Sequence, residues 1–157
     1  MKKIINPYTK LPDSNCFGCS SNNKQGLQMQ FYEDGDYIKS KWNPRFEFAG
    51  YSNILHGGIQ ATILDEIASW VVYIKTKTAG VTADLNVKYK SPVFVDKGEL
   101  EITGKLIDLN KRLATIEAKL LNSDGKVCAE GIVKYFIFPP KVAEEKYNYP
   151  GIEAFFE

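Results

Sequence analysis

One segment limits the fold more than any other. From Gly58 the chain reads GIQATILDEIASWVVYIKTKTAG, in which Ile59, Ile63, Ile67, Trp70, Val71 and Ile74 recur at helical spacing. No Gly or Pro interrupts the pattern until Gly80, and Ala61, Leu64 and Ala68 add a second apolar face. A helix apolar on more than one side has to be enclosed by the rest of its domain. What encloses it must come from the remainder of the chain, and most of that remainder alternates with the two-residue period of strands.

Before the helix, GLQMQF sets Leu27, Met29 and Phe31 against Gln28 and Gln30, and YIKSKW alternates through Ile38, Ser40 and Trp42. The EDGD between them predicts a hairpin with an Asp-Gly turn. A loop, NPRFEFAGYSNILHGG, leads into the helix. After it, VTADLNVKY places Val81, Ala83, Leu85, Val87 and Tyr89 opposite Thr82, Asp84, Asn86 and Lys88. ELEITGKLIDL predicts a strand with an irregularity near Gly104. RLATIEAKLL and KVCAEGIVKYFIF flank NSDG, a second Asp-Gly hairpin, and Pro139 and Pro140 stop the last strand. The order is two strands, one long helix and about four strands, an α+β arrangement with antiparallel strands covering the helix. Residues 1–25 read as an extended lead-in and 139–157 as a charged tail with aromatic residues near its end. With no repeat or linker dividing it, 1–157 reads as a single domain of a size that supports a full core.

The net charge of +1 gives no reason to expect a nucleic-acid or anionic-membrane partner. No stretch approaches the ~18 apolar residues of a membrane span, and MKKIINPYTKLPD lacks the apolar run of a signal peptide. Three cysteines, an odd number in a domain that needs no staples, favour a reducing, cytoplasmic setting. Two of them form the Cys-x-x-Cys of NCFGCSSNN. With Cys128 and His56 as the only other Cys or His residues, the set reads as a tight loop with small thiols rather than a metal site.

The chain's one histidine opens the helix, in LHGGIQATILDEIASW. A helix starting at Gly57-Gly58 offers unpaired backbone N–H groups and the positive end of its dipole, and glycine lets a ligand approach closely. Such an end can stabilise an oxyanion, and the same glycines also serve a plain tight turn. Asp65 lies eight residues on, roughly 12 Å along the axis. Reacting groups must meet at about 3 Å. Gly57 and Asp65 can therefore share one reaction only across two subunits with antiparallel helices. The apolar neighbours of Asp65 in sequence suggest burial and a raised pKa. Glu66 is turned away by about 100° and cannot aim at the same atom.

HGGIQATILDE followed by VTADLNVKYKSPVFVDKGEL resembles the hotdog-fold acyl-CoA thioesterases, within them the 4-hydroxybenzoyl-CoA and phenylacetate-pathway group. The lead-in NCFGCSSNNKQGL is similar to the opening of one branch of that group. The resemblance spans about residues 15–138. It implies a curved antiparallel sheet wrapped around the central helix and a homodimer, or a dimer of dimers, with active sites at the interface. It also implies hydrolysis of an acyl-CoA to free acid and CoA, with no metal and no redox cofactor. On this pattern His56, Gly57 and Gly58 are the His-Gly-Gly, Gly57 the oxyanion donor, and Asp65 the nucleophile or general base. Thr82 would orient the attacking water. Relatives carry Asn or Gln where this chain has Gly50, a place that Asn53 in the same loop would have to fill. Lys88, Lys90 and Arg112, with Lys111, are candidates for the CoA phosphates. Two other activities suit such a fold. One is an acyl-CoA or acyl-carrier binding module that cleaves nothing, which Gly50 would fit. The other is hydration of an enoyl thioester, which would need Asp and His acting as a pair.

Overall fold

The computed structural model describes residues 1–157. Seven strands form one antiparallel sheet: β1 (Lys2–Ile4), β2 (Phe31–Asp34), β3 (Tyr37–Trp42), β4 (Gly80–Tyr89), β5 (Leu100–Asn110), β6 (Leu113–Leu121) and β7 (Val127–Ile137). They run in the order β1-β2-β3-β5-β6-β7-β4, so β1 and β4 are the edges. The helix α1 (Gly57–Val71) continues as a π-helical turn over Val72–Thr76 and ends at Lys77 in the left-handed conformation. It lies against β3, β4, β5, β6 and β7.

Enclosure follows the apolar pattern. Ile63, Leu64, Ile67, Ala68 and Val71 have no exposed surface, and they join Ile38, Ile102, Ile116, Leu120 and Val133 of the sheet in one core. Closest approach is at Gly104, where an added Cβ would lie 2.9 Å from Val71 Cγ2 and 3.2 Å from Ile67 Cγ1. The glycine is therefore a packing contact, and the irregularity expected there falls two residues later, between Leu106 and Asp108.

Both Asp-Gly hairpins are present, with Gly35 and Gly125 at positive φ. The first strand is shorter than its alternation suggests. Leu27, Met29 and Phe31 are buried as the pattern implies, but Gln28 is left-handed and the strand begins only at Phe31. Leu27 and Met29 instead donate their N–H groups to Phe17 O (2.7 Å) and Gly18 O (3.0 Å) of the lead-in. That lead-in also supplies β1, a strand the sequence reading missed. The tail folds back on the same chain. Pro140 opens α2 (Pro140–Tyr147), and fully buried Phe155 sits among Tyr8, Trp70, Tyr73 and Tyr149. No helix is long and apolar enough to cross a membrane.

Candidate active site

His56 caps α1. Its Nδ1 accepts the Gly58 N–H at 2.8 Å and its carbonyl accepts the Gln60 N–H at 3.0 Å. Gly58 is thus committed to the cap, whereas the N–H of Gly57 has no acceptor within the chain. Tyr89 at the end of β4 donates its hydroxyl to Gly57 O at 2.6 Å and lies 3.6 Å from where a Gly57 Cβ would be. The helix start is therefore held on both sides with one donor left free.

Asp65 sits two turns along. Its Oδ1 accepts the hydroxyls of Thr82 and Tyr135, each at 2.8 Å, while Oδ2 accepts nothing from the chain. Tyr135 also reaches the Asp65 carbonyl at 3.0 Å. Burial, reinforced by the Asp65 charge, pushes the Tyr135 hydroxyl well above the ordinary tyrosine range, so it stays a donor. Thr82 reaches the acid because β4 bulges. Thr82 pairs with Tyr135 and Asp84 with Lys134, so Ala83 is skipped. The strict alternation expected of VTADLNVKY is corrected accordingly. Thr82 shares the helix-facing side with Leu85 and Val87, which pack on the core.

Asp65 and Glu66 are both half-buried, but in different surroundings. Asp65 is half-buried among hydroxyls, whereas Glu66 faces the lead-in, and burial first, then Cys16, pushes its carboxyl up to about 7. Residues adjacent along a helix face different surroundings, and the larger apolar neighbours of Asp65, Ile63, Leu64 and Ile67, lie on other faces of α1.

Other expected contacts are placed differently. Asn53 is left-handed and gives its side-chain N–H to Asp96 Oδ1 at 2.9 Å, while its carbonyl accepts Val95 N–H, so it ties two loops together. Gly50 lies beside His56, whose Cδ2 is 3.1 Å from an added Cβ. Lys88 and Lys90 alternate onto the face opposite Leu85, Val87 and Tyr89, where Lys90 pairs with Glu130 at 2.9 Å. Arg112 is exposed in the β5–β6 turn, its carbonyl accepting Ile137 N–H. Two lysines not foreseen, Lys97 and Lys126, line a cleft of about 550 Å³ together with Asp124 and Phe94. That cleft adjoins the Gly57 end, since Leu55 N–H donates to Val93 O at 2.8 Å. Tyr135 was also missed. Its inward position follows from the alternation of β7, but its register against Asp65 does not.

Comparison with known proteins converges on one family. The profile described as thioesterase superfamily matches residues 52–129. Acyl-coenzyme A thioesterase 13 of Mus musculus is 35% identical over 79 residues, which are 49% of this chain and 56% of that protein. The chain thus spans little more than half the length of that relative. A solved protein of the thioesterase superfamily is 32% identical, covers 72% of this chain and 86% of its own, and superposes with a TM-score of 0.61. A thioesterase protein of Streptococcus pneumoniae, solved with coenzyme A, shares the hotdog fold at a TM-score of 0.66 and 18% identity, covering 71% of this chain and 87% of its own.

Proposed function

The chain belongs to the thioesterase superfamily, and from that premise we propose that it hydrolyses an acyl-CoA to free acid and CoA at sites shared between two subunits. The observation that carries this reading is the state of the Asp65 carboxylate. One oxygen is held by two hydroxyls and the other is free to take a proton from water. In this reading Oδ2 accepts that proton as the water oxygen bonds to the thioester carbonyl carbon. The resulting oxyanion is held by the Gly57 N–H of the partner subunit, the donor without an acceptor in its own chain. Collapse expels the CoA thiolate, and Asp65 returns the proton to sulfur. Direct attack by Oδ2 uses the same geometry.

Two features favour a homodimer. The separation of Gly57 and Asp65 along α1, roughly 12 Å, prevents one subunit from supplying both. The free edge of β4 carries exposed Val81 and Tyr89, which suits pairing with a second copy. Lys97 and Lys126 beside the Gly57 end supply positive charge for the CoA phosphates.

Thiol release from short, medium, long-chain and aromatic acyl-CoAs tests the activity. Mixing inactive subunits tests the shared site. Gly57→Pro replaces the N–H by the proline ring at a helix position that tolerates proline. Co-refolded with Asp65→Asn, it should regain roughly a quarter of wild-type activity, since half the dimers are mixed and carry one intact site. No thiol release from any thioester, with acyl-CoA still raising the melting temperature, would make the protein a binding module instead.

A further inference from the structure

The second carboxylate of α1 has its own site. Glu66 is half-buried and belongs to no ion pair of the chain, a setting for a carboxylate that a cation would improve. Its Oε1 accepts the Trp70 indole N–H at 3.1 Å. The Cys16 sulfur lies 3.6 Å from Oε1 and 3.7 Å from Oε2. The ligand atoms of Cys16, Cys19 and Glu66 all lie within 4.8 Å of one another. A tetrahedral zinc ion, with bonds of ~2.3 Å to sulfur and ~2.0 Å to oxygen, spans about 3.5 Å between the two kinds of ligand. The separations of the Cys16 sulfur from the two carboxylate oxygens are close to that span.

The surrounding chain is built to keep these atoms together. Ser20 N–H donates to Cys16 O at 3.0 Å, closing the Cys-x-x-Cys turn, and Asn6 donates to Cys19 O at 3.2 Å. Gly18, between the cysteines, lies on the carboxylate itself, where an added Cβ would be 2.4 Å from Glu66 Oε2 and 2.5 Å from its Cδ. Only glycine lets the loop come so near. Cys16 is exposed, so an ion and a fourth ligand such as water can reach the site.

We propose that Cys16, Cys19 and Glu66 form a binding site for a thiophilic divalent cation of the zinc class, one that fastens the lead-in loop to the middle of α1. Binding replaces the two thiol protons, and the carboxyl proton where present, by metal–sulfur and metal–oxygen bonds. Two thiolates, one carboxylate and a divalent ion leave a single negative charge beside the Trp70 N–H. The site is independent of the thioester reading, and its test does not involve thiol release from CoA.

Cobalt(II) supplies that test. The full chain, reduced and stripped with a chelator, should bind about one equivalent of Co²⁺. A thiolate-to-cobalt charge-transfer band and tetrahedral d–d absorption should appear, and Zn²⁺ should then abolish both. Cys16→Ser and Cys19→Ser should each weaken the charge-transfer band and the binding. Glu66→Gln, close to isosteric, should keep the thiolate band but bind about 1000-fold more weakly, beyond the roughly 10–100-fold that loss of an outer hydrogen bond costs. Cys128→Ser, in the core, should bind as wild type. Circular dichroism and melting curves establish that each variant is folded. A reduced chain that shows no charge-transfer band overturns the proposal. So does a folded Glu66→Gln with wild-type affinity, or a Cys128→Ser that loses the ion.

Discussion

Asp65 and Glu66 are consecutive acids on one helix, yet they lie in regions built on opposite plans. Asp65 meets the sheet. Thr82 and Tyr135 bring it two hydroxyls, and one carboxylate oxygen stays open. Glu66 meets the lead-in, which closes over it with a glycine and two thiols, while Trp70 one turn along α1 adds an indole N–H. The roughly 100° turn between neighbours is enough to separate an open, hydroxyl-lined carboxylate from a thiol-lined one covered by the lead-in. Identity of side chain therefore says little here. What faces it decides whether an acid suits proton transfer or cation binding.

The largest expected effect separates the two regions directly. Asp65→Asn keeps the shape and both hydroxyl contacts but removes the base, so thiol release should fall about 1000-fold. Cobalt binding at Cys16, Cys19 and Glu66 should be unchanged in the same protein. If Asp65→Asn instead retained activity, the working acid would have to be sought elsewhere on α1.

Gly18→Ala strikes the other region. The added Cβ collides with the Cγ, Cδ and Oε2 of Glu66 at 2.6, 2.5 and 2.4 Å, so either the loop or the carboxylate must move. Overpacking of this kind costs about 2 kcal/mol, read as a lower midpoint in urea unfolding. Per folded molecule, thiol release should stay close to wild type. A large loss of activity with unchanged stability would mean that the two regions are coupled through α1.

These regions were not equally legible in the sequence. The helix, its glycine start and Asp65 stood out because a 3.6-residue period and a short motif lie within one stretch of chain. Both Asp-Gly hairpins were visible for the same local reason. Of the partners of Asp65, Thr82 entered only through the resemblance, as a residue that would orient water, and Tyr135 was hidden. Thr82 faces the acid only because β4 bulges before Asp84, and Tyr135 meets it only through the register of β7 against β4. Both are relations between strands, which no single-strand period records. The Glu66 region was hidden more deeply. Cys16 and Glu66 are 50 residues apart, and a count of Cys and His alone passes over a carboxylate as the third ligand. The buried tail likewise depended on Phe155 finding Trp70, Tyr73 and Tyr8 across the chain.

Smaller effects test how the hydroxyls hold Asp65. Tyr135→Phe removes a buried donor to a carboxylate, a bond of the stronger kind, and should lower kcat about tenfold with little change in KM. A rise in KM alone would assign Tyr135 to substrate binding instead of to the acid.

Thr82 should matter less, since its bond to Oδ1 is of the same length but lies in exposed surroundings where water can replace the lost donor. Thr82→Val keeps the branched shape that suits a strand and removes only the hydroxyl, so a fall in kcat of about threefold is expected. Thr82→Ser restores the donor and should restore the rate. If serine fails where threonine works, the methyl group rather than the hydroxyl is what the site needs, and Thr82 would be a packing residue of the β4 bulge. If both variants leave kcat untouched, Tyr135 alone holds Oδ1, and the open region rests on one hydroxyl rather than two. Neither variant should alter cobalt binding, because Thr82 lies on the sheet side of α1 and the thiols on the other.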